Sequence, residues 1–253
     1  MRAADSRATY VLRVSVWGWL AAVAILATGS AIQGSVGFGL GVIGAPLLAL
    51  LDPRLVPGPI LLDALLLTIL VAVREWKWIR FADLAWSLPG RLAGTAIAVL
   101  LMRAIPAERF QVALGLLILA AVALSKWGPK LPLNPRTLTL AGVAAGIMST
   151  FTSIGGPPIA LVYQHEEGPR VRGTLAAFFT VGVIFSMGGL RVAGRFGWTE
   201  VRLAAWLLPG VVIGFLLSRW SARWLDRGHT RALVLATSAI AAVLVVLKGL
   251  LAP

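Results

Sequence analysis

The chain has no cysteine and only two histidines in 253 residues. The first absence excludes disulfides, thiolate metal sites and cysteine nucleophiles. The second leaves little for metal-assisted or general-base catalysis, because neither His165 nor His229 lies inside an apolar run. His165-Glu166-Glu167 reads as an exposed acidic turn and His229, among arginines, as solvated. No enzyme, metal or cofactor is expected. Charge is scarce as well: 13% of residues are Asp, Glu, Lys or Arg, against about 25% in an ordinary globular domain. The acidic residues are scarcest, 10 against 23 Lys and Arg, for a net charge of +13. In a soluble protein that excess would suggest nucleic acid. Here the basic residues lie mostly in short stretches between apolar runs, such as Arg74, Lys77 and Arg80, or Lys126, Lys130 and Arg136. That placement suits anionic lipid headgroups, so the expected partner is membrane lipid and not nucleic acid.

What the chain has in abundance is apolar sequence: 58% of residues are hydrophobic and the mean hydropathy is +0.88. A soluble fold of this size has no interior large enough to hide it, whereas runs of about 20 apolar residues can cross a bilayer. The expected fold is therefore an all-α polytopic membrane protein of about eight transmembrane segments. They run approximately over Val11–Leu51, Pro57–Val73, Leu84–Leu101, Ala107–Leu124, Thr137–Tyr163, Leu175–Leu190, Val201–Trp220 and Arg231–Leu250. Trp76, Trp78, Trp127, Trp198, Trp220 and Trp224 stand at segment ends, where a half-wet ring suits the membrane interface, and Tyr163 reads as a similar anchor. The basic N-terminus (Arg2, Arg7, Arg13) precedes apolar sequence that runs on without a cleavage-site pattern, so the first segment reads as retained.

Segments one and five are longer than one crossing requires, and each is interrupted. The first contains Gln33-Gly34-Ser35-Val36-Gly37-Phe38-Gly39 and then Gly44-Ala45-Pro46; the fifth contains Ser149-Thr150-Phe151-Thr152-Ser153-Ile154-Gly155-Gly156-Pro157-Pro158. Glycine permits left-handed or unwound backbone, and proline blocks the helix, so both segments are expected to break at membrane depth. Gly34, Gly44 and Pro46 match Gly146, Gly156 and Pro158 at one constant offset. Trp86-Ser87-Leu88-Pro89-Gly90 with Gly94 matches Trp206-Leu207-Leu208-Pro209-Gly210 with Gly214 at a slightly longer one. The pair argues for a duplicated four-segment unit, residues 1–125 and 137–253, joined by a loop at 126–136. If segments one and five each cross once, the repeats are parallel; if they fold back, the repeats are inverted. The distribution of Lys and Arg favours the parallel arrangement with a cytoplasmic N-terminus.

Broken helices in matching positions are a sequence pointer to a transporter's binding site. These stretches, with Arg172-Gly173-Thr174 before segment six, resemble the sulfite exporter TauE/SafE family over about Leu20 to Leu250. The resemblance implies transport of small sulfur-containing anions, such as sulfite or sulfonates, across the bacterial inner membrane.

The candidate site follows from the breaks. Exposed main-chain N–H groups and the positive end of a half-helix would face an anion; the competing reading of the glycines is close helix packing. The expected substrate-binding residues are Gln33, Gly34, Ser35, Gly37, Phe38, Gly39, Pro46, Ser149, Thr152, Ser153, Gly155, Gly156, Pro157 and Arg91. Arg91 and Asp63 are intramembrane charges, which are costly in lipid. Arg91 would attract the anion, and Asp63 would carry a coupling proton or pair with Arg91; both also lie near enough to segment ends to snorkel. Gly90-x-x-x-Gly94, Gly142-x-x-x-Gly146 and Gly210-x-x-x-Gly214 read as close helix contacts. The function read from the chain is a carrier of small anions working by alternating access. An anion channel and a membrane scaffold are the alternatives, and a homo-oligomer is left open.

Overall fold

The computed structural model describes residues 15–225 and 229–251, and leaves the side chains of 107, 108, 221–234 and 251 without description. The readings of the basic N-terminus as part of a retained segment, of His229 as solvated and of Trp224 as interfacial lie outside the described residues. Within them the chain forms ten α-helices and no strand: α1 (Val16–Val36), α2 (Leu40–Leu51), α3 (Gly58–Arg74), α4 (Phe81–Ala104), α5 (Ala107–Trp127), α6 (Pro135–Thr152), α7 (Gly156–Ala160), α8 (Gly168–Val192), α9 (Trp198–Leu225) and α10 (His229–Leu251). Five of these contain stretches long and apolar enough to cross a membrane, in α1, α4, α5, α8 and α9.

Local signals set the helix starts. Ser15 caps α1 by accepting from the Gly18 N–H at 3.1 Å. Asn134 and Thr137 form a reciprocal capping box around Pro135 at the first position of α6. Trp76, Trp78, Trp127, Trp198 and Trp220 are exposed, as interfacial rings should be. Tyr163 is not an interfacial anchor: it is buried, and its hydroxyl donates to Asp83 at 2.9 Å.

Both interrupted segments fold back on themselves. A Cβ on Gly29 of α1 would lie 3.1 Å from the main chain of Leu40, and one on Gly44 would approach Leu26, so α2 returns antiparallel along α1. A Cβ on Gly155 would lie 3.0 Å from Ser149 and 3.3 Å from the Ala145 carbonyl, so α7 likewise turns back along α6. Neither segment is one continuous helix, which is the fold-back alternative of the sequence reading. Each fold-back moves every later loop to the other side of the membrane, so a count of Lys and Arg inherits any error made at the first break.

Glycine seams join helices far apart in sequence. Gly210 and Gly214 of α9 press on the carbonyls of Val23 and Ala27 in α1, and Trp19 Nε1 donates to the Trp206 carbonyl at 2.9 Å. Gly90 and Gly94 of α4 press on the carbonyls of Thr139 and Val143 in α6, while Gly142 and Gly146 press back on Ser87 and Arg91. A Cβ at any of these would come closer to main chain than real side chains do, which confirms the packing reading of the three small-residue motifs. In both pairs the helices run parallel. Between them α3 and α8 run antiparallel, with Glu75 beside Gly173 at one end and Gly58 beside Phe196 and Glu200 at the other. We call these the Arg172 end and the Arg54 end. Helices α5 and α10 pair with each other, Gly115 against Val246 and Gly249 against Val112, and share a buried apolar cluster with α1, α2, α3 and α9.

Candidate functional site

The first hairpin turns at Gly37-Phe38-Gly39, where Gly37 (φ +104°) and Gly39 (φ +145°) occupy backbone that only glycine adopts cheaply. Gln33 closes the turn twice. Its carbonyl accepts from the Gly37 N–H at 2.7 Å, and its Oε1 accepts from the Leu40 N–H at 3.0 Å. The first N–H groups of a helix have no intrahelical acceptor. With Leu40 taken by Gln33, those of Gly41 and Val42 begin α2 beside a cavity that both residues line.

The second hairpin turns without glycine at its left-handed position: Ser153 has φ +63°. Thr152 Oγ1 donates to the Met148 carbonyl at 2.7 Å and accepts from the Ile154 N–H at 3.2 Å, which holds the turn. Ser153 Oγ donates to the Pro57 carbonyl at 3.0 Å. The returning helix α7 has only five residues, and two of them are Pro157 and Pro158, which carry no N–H. The expectation that each break offers a donor-rich helix start is therefore corrected for this one.

Positive charge comes instead from Arg91. It is fully buried, and its guanidinium donates to the Ala145 carbonyl, to Ser149 Oγ at 2.7 Å and to Ser186 Oγ at 3.3 Å, and stacks 5.5 Å from the Phe178 ring centre. Glycine makes room for it on both sides. A Cβ on Gly182 would lie 2.5 Å from Nε, and one on Gly155 2.8 Å from Nη1. These neighbours are neutral, so the cation's field is not cancelled locally, in a medium where charge is weakly screened.

The two hairpin tips meet. The ring of Phe38 lies over Gly156, and Gly41 abuts the Ser153 carbonyl. Between the tips and the α3–α8 pair lies a cavity of about 30 Å³, room for one or two waters. It is lined by Gln33, Phe38, Gly39, Ser149, Ser153, Gly155 and Gly156 from the breaks, by Ile60, Leu61, Ala64 and Thr68 of α3 and by Phe179 and Val183 of α8. A vestibule of about 640 Å³ lies toward the Arg172 end, lined by Ser35, Phe38, Pro157, Tyr163 and Arg172 among others.

The expected site residues thus divide. Those lining the inner cavity are gathered in one place. Ser35 and Pro157 face the vestibule. Gly37 packs on the main chain of Arg172, and Gly34 sits under Ser218, where a Cβ would lie 2.6 Å away. Pro46 is buried inside α2, and Thr152 braces its turn; neither lines the cavity. Arg91 stands behind Ser149. Asp63 is fully buried in α3 with neither carboxylate oxygen hydrogen-bonded; it neither snorkels nor pairs with Arg91. His165 is exposed beside Glu166, which pairs with Arg80 at 3.4 Å and Arg170 at 3.7 Å. No group of metal-binding residues occurs among the described residues. Sequence reasoning missed the α3 and α8 lining. Ile60, Leu61, Ala64, Phe179 and Val183 are ordinary apolar helix residues that carry no sign of which faces a cavity.

A helical membrane protein with two hairpins whose tips meet beside a small cavity of mixed polar and apolar lining has the build of a membrane transporter. The sulfite exporter TauE/SafE family model matches residues 20–245, and the chain belongs to that family. No curated protein and no solved structure matches significantly.

Proposed function

We propose that this protein is a secondary carrier for small anions of the sulfite and sulfonate class, binding them between the hairpin tips and exposing them to either side in turn. The observation that carries the reading is the joint one. Main-chain N–H groups of α2 and the hydroxyl of Ser149 meet at one small cavity, with the buried Arg91 cation directly behind Ser149. Neutral donors around an oxyanion, backed by a charge one layer away, bind without trapping. The contact between the hairpin tips, Phe38 over Gly156 and Gly41 against the Ser153 carbonyl, favours a carrier over an open channel.

The helix directions support two inverted halves, α1–α5 and α6–α10. The first hairpin enters from the Arg54 end and the second from the Arg172 end, and the parallel pairs α1–α9 and α4–α6 exchange places under such a two-fold. Within this scheme Gly37 and Gly39 correspond to Ser153 and Gly155, about one helical turn from the match of Gly34 with Gly146. The glycine–proline match locates the breaks, and the turn geometry sets their register. Eight crossings then become six, plus two hairpins. The exposed tryptophans face lipid, with the bacterial inner membrane as the expected location.

The test is flux of labelled sulfite into proteoliposomes. Saturable counterflow is expected, abolished by Gly156→Leu, whose side chain takes the space of the Phe38 ring, with the protein still folded and inserted. Ohmic current or flux unchanged in that variant overturns the reading. Asp63, buried and unpartnered one residue from the cavity-lining Ala64, is the coupling candidate. Asp63→Asn should keep counterflow and lose accumulation driven by a pH gradient; retained accumulation removes Asp63 from the mechanism.

A further inference from the structure

We infer that Phe38 is a one-residue gate between the vestibule and the inner cavity. Among the residues lining these two spaces it is the one common to both. Its ring closes onto Gly156, where an added Cβ would lie 2.8 Å from the ring; a glycine there gives the ring a flat seat. On either side stand Gly37 and Gly39, both at positive φ, so the gate hangs on the two most permissive backbone joints of the hairpin. The spaces it separates differ in kind. The outer, about 640 Å³, holds an anion with its hydration shell, and the inner, about 30 Å³, holds a water or two.

The opposite wall is built differently. Toward the Arg54 end the hairpins meet main chain to main chain, with Gly41 against the Ser153 carbonyl and Ser153 Oγ bonded to the Pro57 carbonyl. Opening that side means separating the two hairpins. Opening the Arg172 end means turning one ring. The two barriers therefore differ in thickness, and Phe38 sets which solutes reach the inner cavity from the vestibule. An anion arriving there meets Arg172 first, a side chain tied at 3.1 Å to Glu75, and passes only if it is small enough to slip beside the displaced ring.

The inference rests on the carrier reading for its purpose but is tested without transport. Because the chain has no cysteine, Thr68→Cys places a single thiol on the inner cavity and Val171→Cys one on the vestibule. With Phe38 intact, a small charged methanethiosulfonate should label Cys at the vestibule fast and Cys in the cavity slowly. Phe38→Ala should speed labelling in the cavity by about tenfold or more and leave the vestibule rate unchanged, and Phe38→Trp should slow it. If Phe38→Ala does not purify folded, Phe38→Leu should act in the same direction to a smaller degree. Equal labelling at both positions with Phe38 present, or a cavity rate indifferent to Phe38, overturns the gate. Gated labelling in a protein without anion flux would keep the gate and overturn the carrier.

Discussion

The two hairpins turn by different chemistry. The first uses glycine at Gly37 and Gly39, is tied by the Gln33 side chain, and sends back a helix of 12 residues with free N–H groups at its start. The second strains a serine into left-handed backbone, is tied by Thr152, and sends back five residues with two prolines. What it lacks in main-chain donors it recovers from Arg91 behind Ser149. The first hairpin contributes oriented dipoles, while the charge beside the second is lent by Arg91 of α4, so an anion between the tips is held asymmetrically, which suits a site that must release to opposite sides.

The largest expected effect breaks the charged half of this comparison. Arg91→Met should reduce flux by about a hundredfold, the scale set by ~2.7 kcal/mol of lost charge-assisted binding. Arg91→Lys should recover part of it, since a lysine restores the charge and not the fork that reaches Ala145, Ser149 and Ser186 together. Flux in proteoliposomes checks both, and wild-type rates for Arg91→Met would leave the dipole half sufficient. The next test compares the turns. Gly39→Ala forces a side chain at φ +145° and toward Ile32, 2.7 Å from the added Cβ, and should cost ~1–3 kcal/mol. Ser153→Gly relieves strain while losing the bond to Pro57, so thermal unfolding in detergent should move within ~1 kcal/mol of wild type.

The smallest effect concerns how α2 is anchored where it leaves the membrane. Burial would raise the Asp52 carboxyl, but hydrogen bonds and charge from Arg54, whose guanidinium lies 2.6 Å away, outweigh it and hold the group below its ordinary range. A carboxyl lowered in the folded state adds stability above its unfolded pKa, near ~3.9, and loses it as pH falls through the folded value. Asp52→Asn should flatten the acid limb of thermal stability below about pH 4 by under ~1 kcal/mol, because half of the Arg54 side chain is exposed. An acid limb unchanged by the substitution would show that the pair contributes nothing there.

The places where the chain bends were legible because glycine and proline report backbone directly: Gly37, Gly39, Gly155 and Gly156 all sit at the turns. The direction taken after each bend was not legible. A reversal inside lipid leaves no polar loop between Val36 and Leu40 or between Thr152 and Gly156, so hydropathy runs on as though the segment were single. Tyr163 misled for a related reason. Its position at a segment end resembles an anchor, whereas its partner Asp83 lies 80 positions away, and such pairing leaves no local trace. Arg91 was recognisable as a charge in an apolar run, but the glycines at 155 and 182 that receive it became meaningful only in three dimensions.

The α1–α9 seam has a consequence for synthesis. Trp19 and Trp206 meet across 187 intervening steps of chain, so at ~5–20 residues per second the first hairpin waits roughly ten to forty seconds for the helix whose glycines seat on it. During that interval the carbonyl-bearing face of α1 at Val23 and Ala27 has no partner, and a nascent chain arrested before α9 is made would leave the first hairpin without the neighbour that completes it.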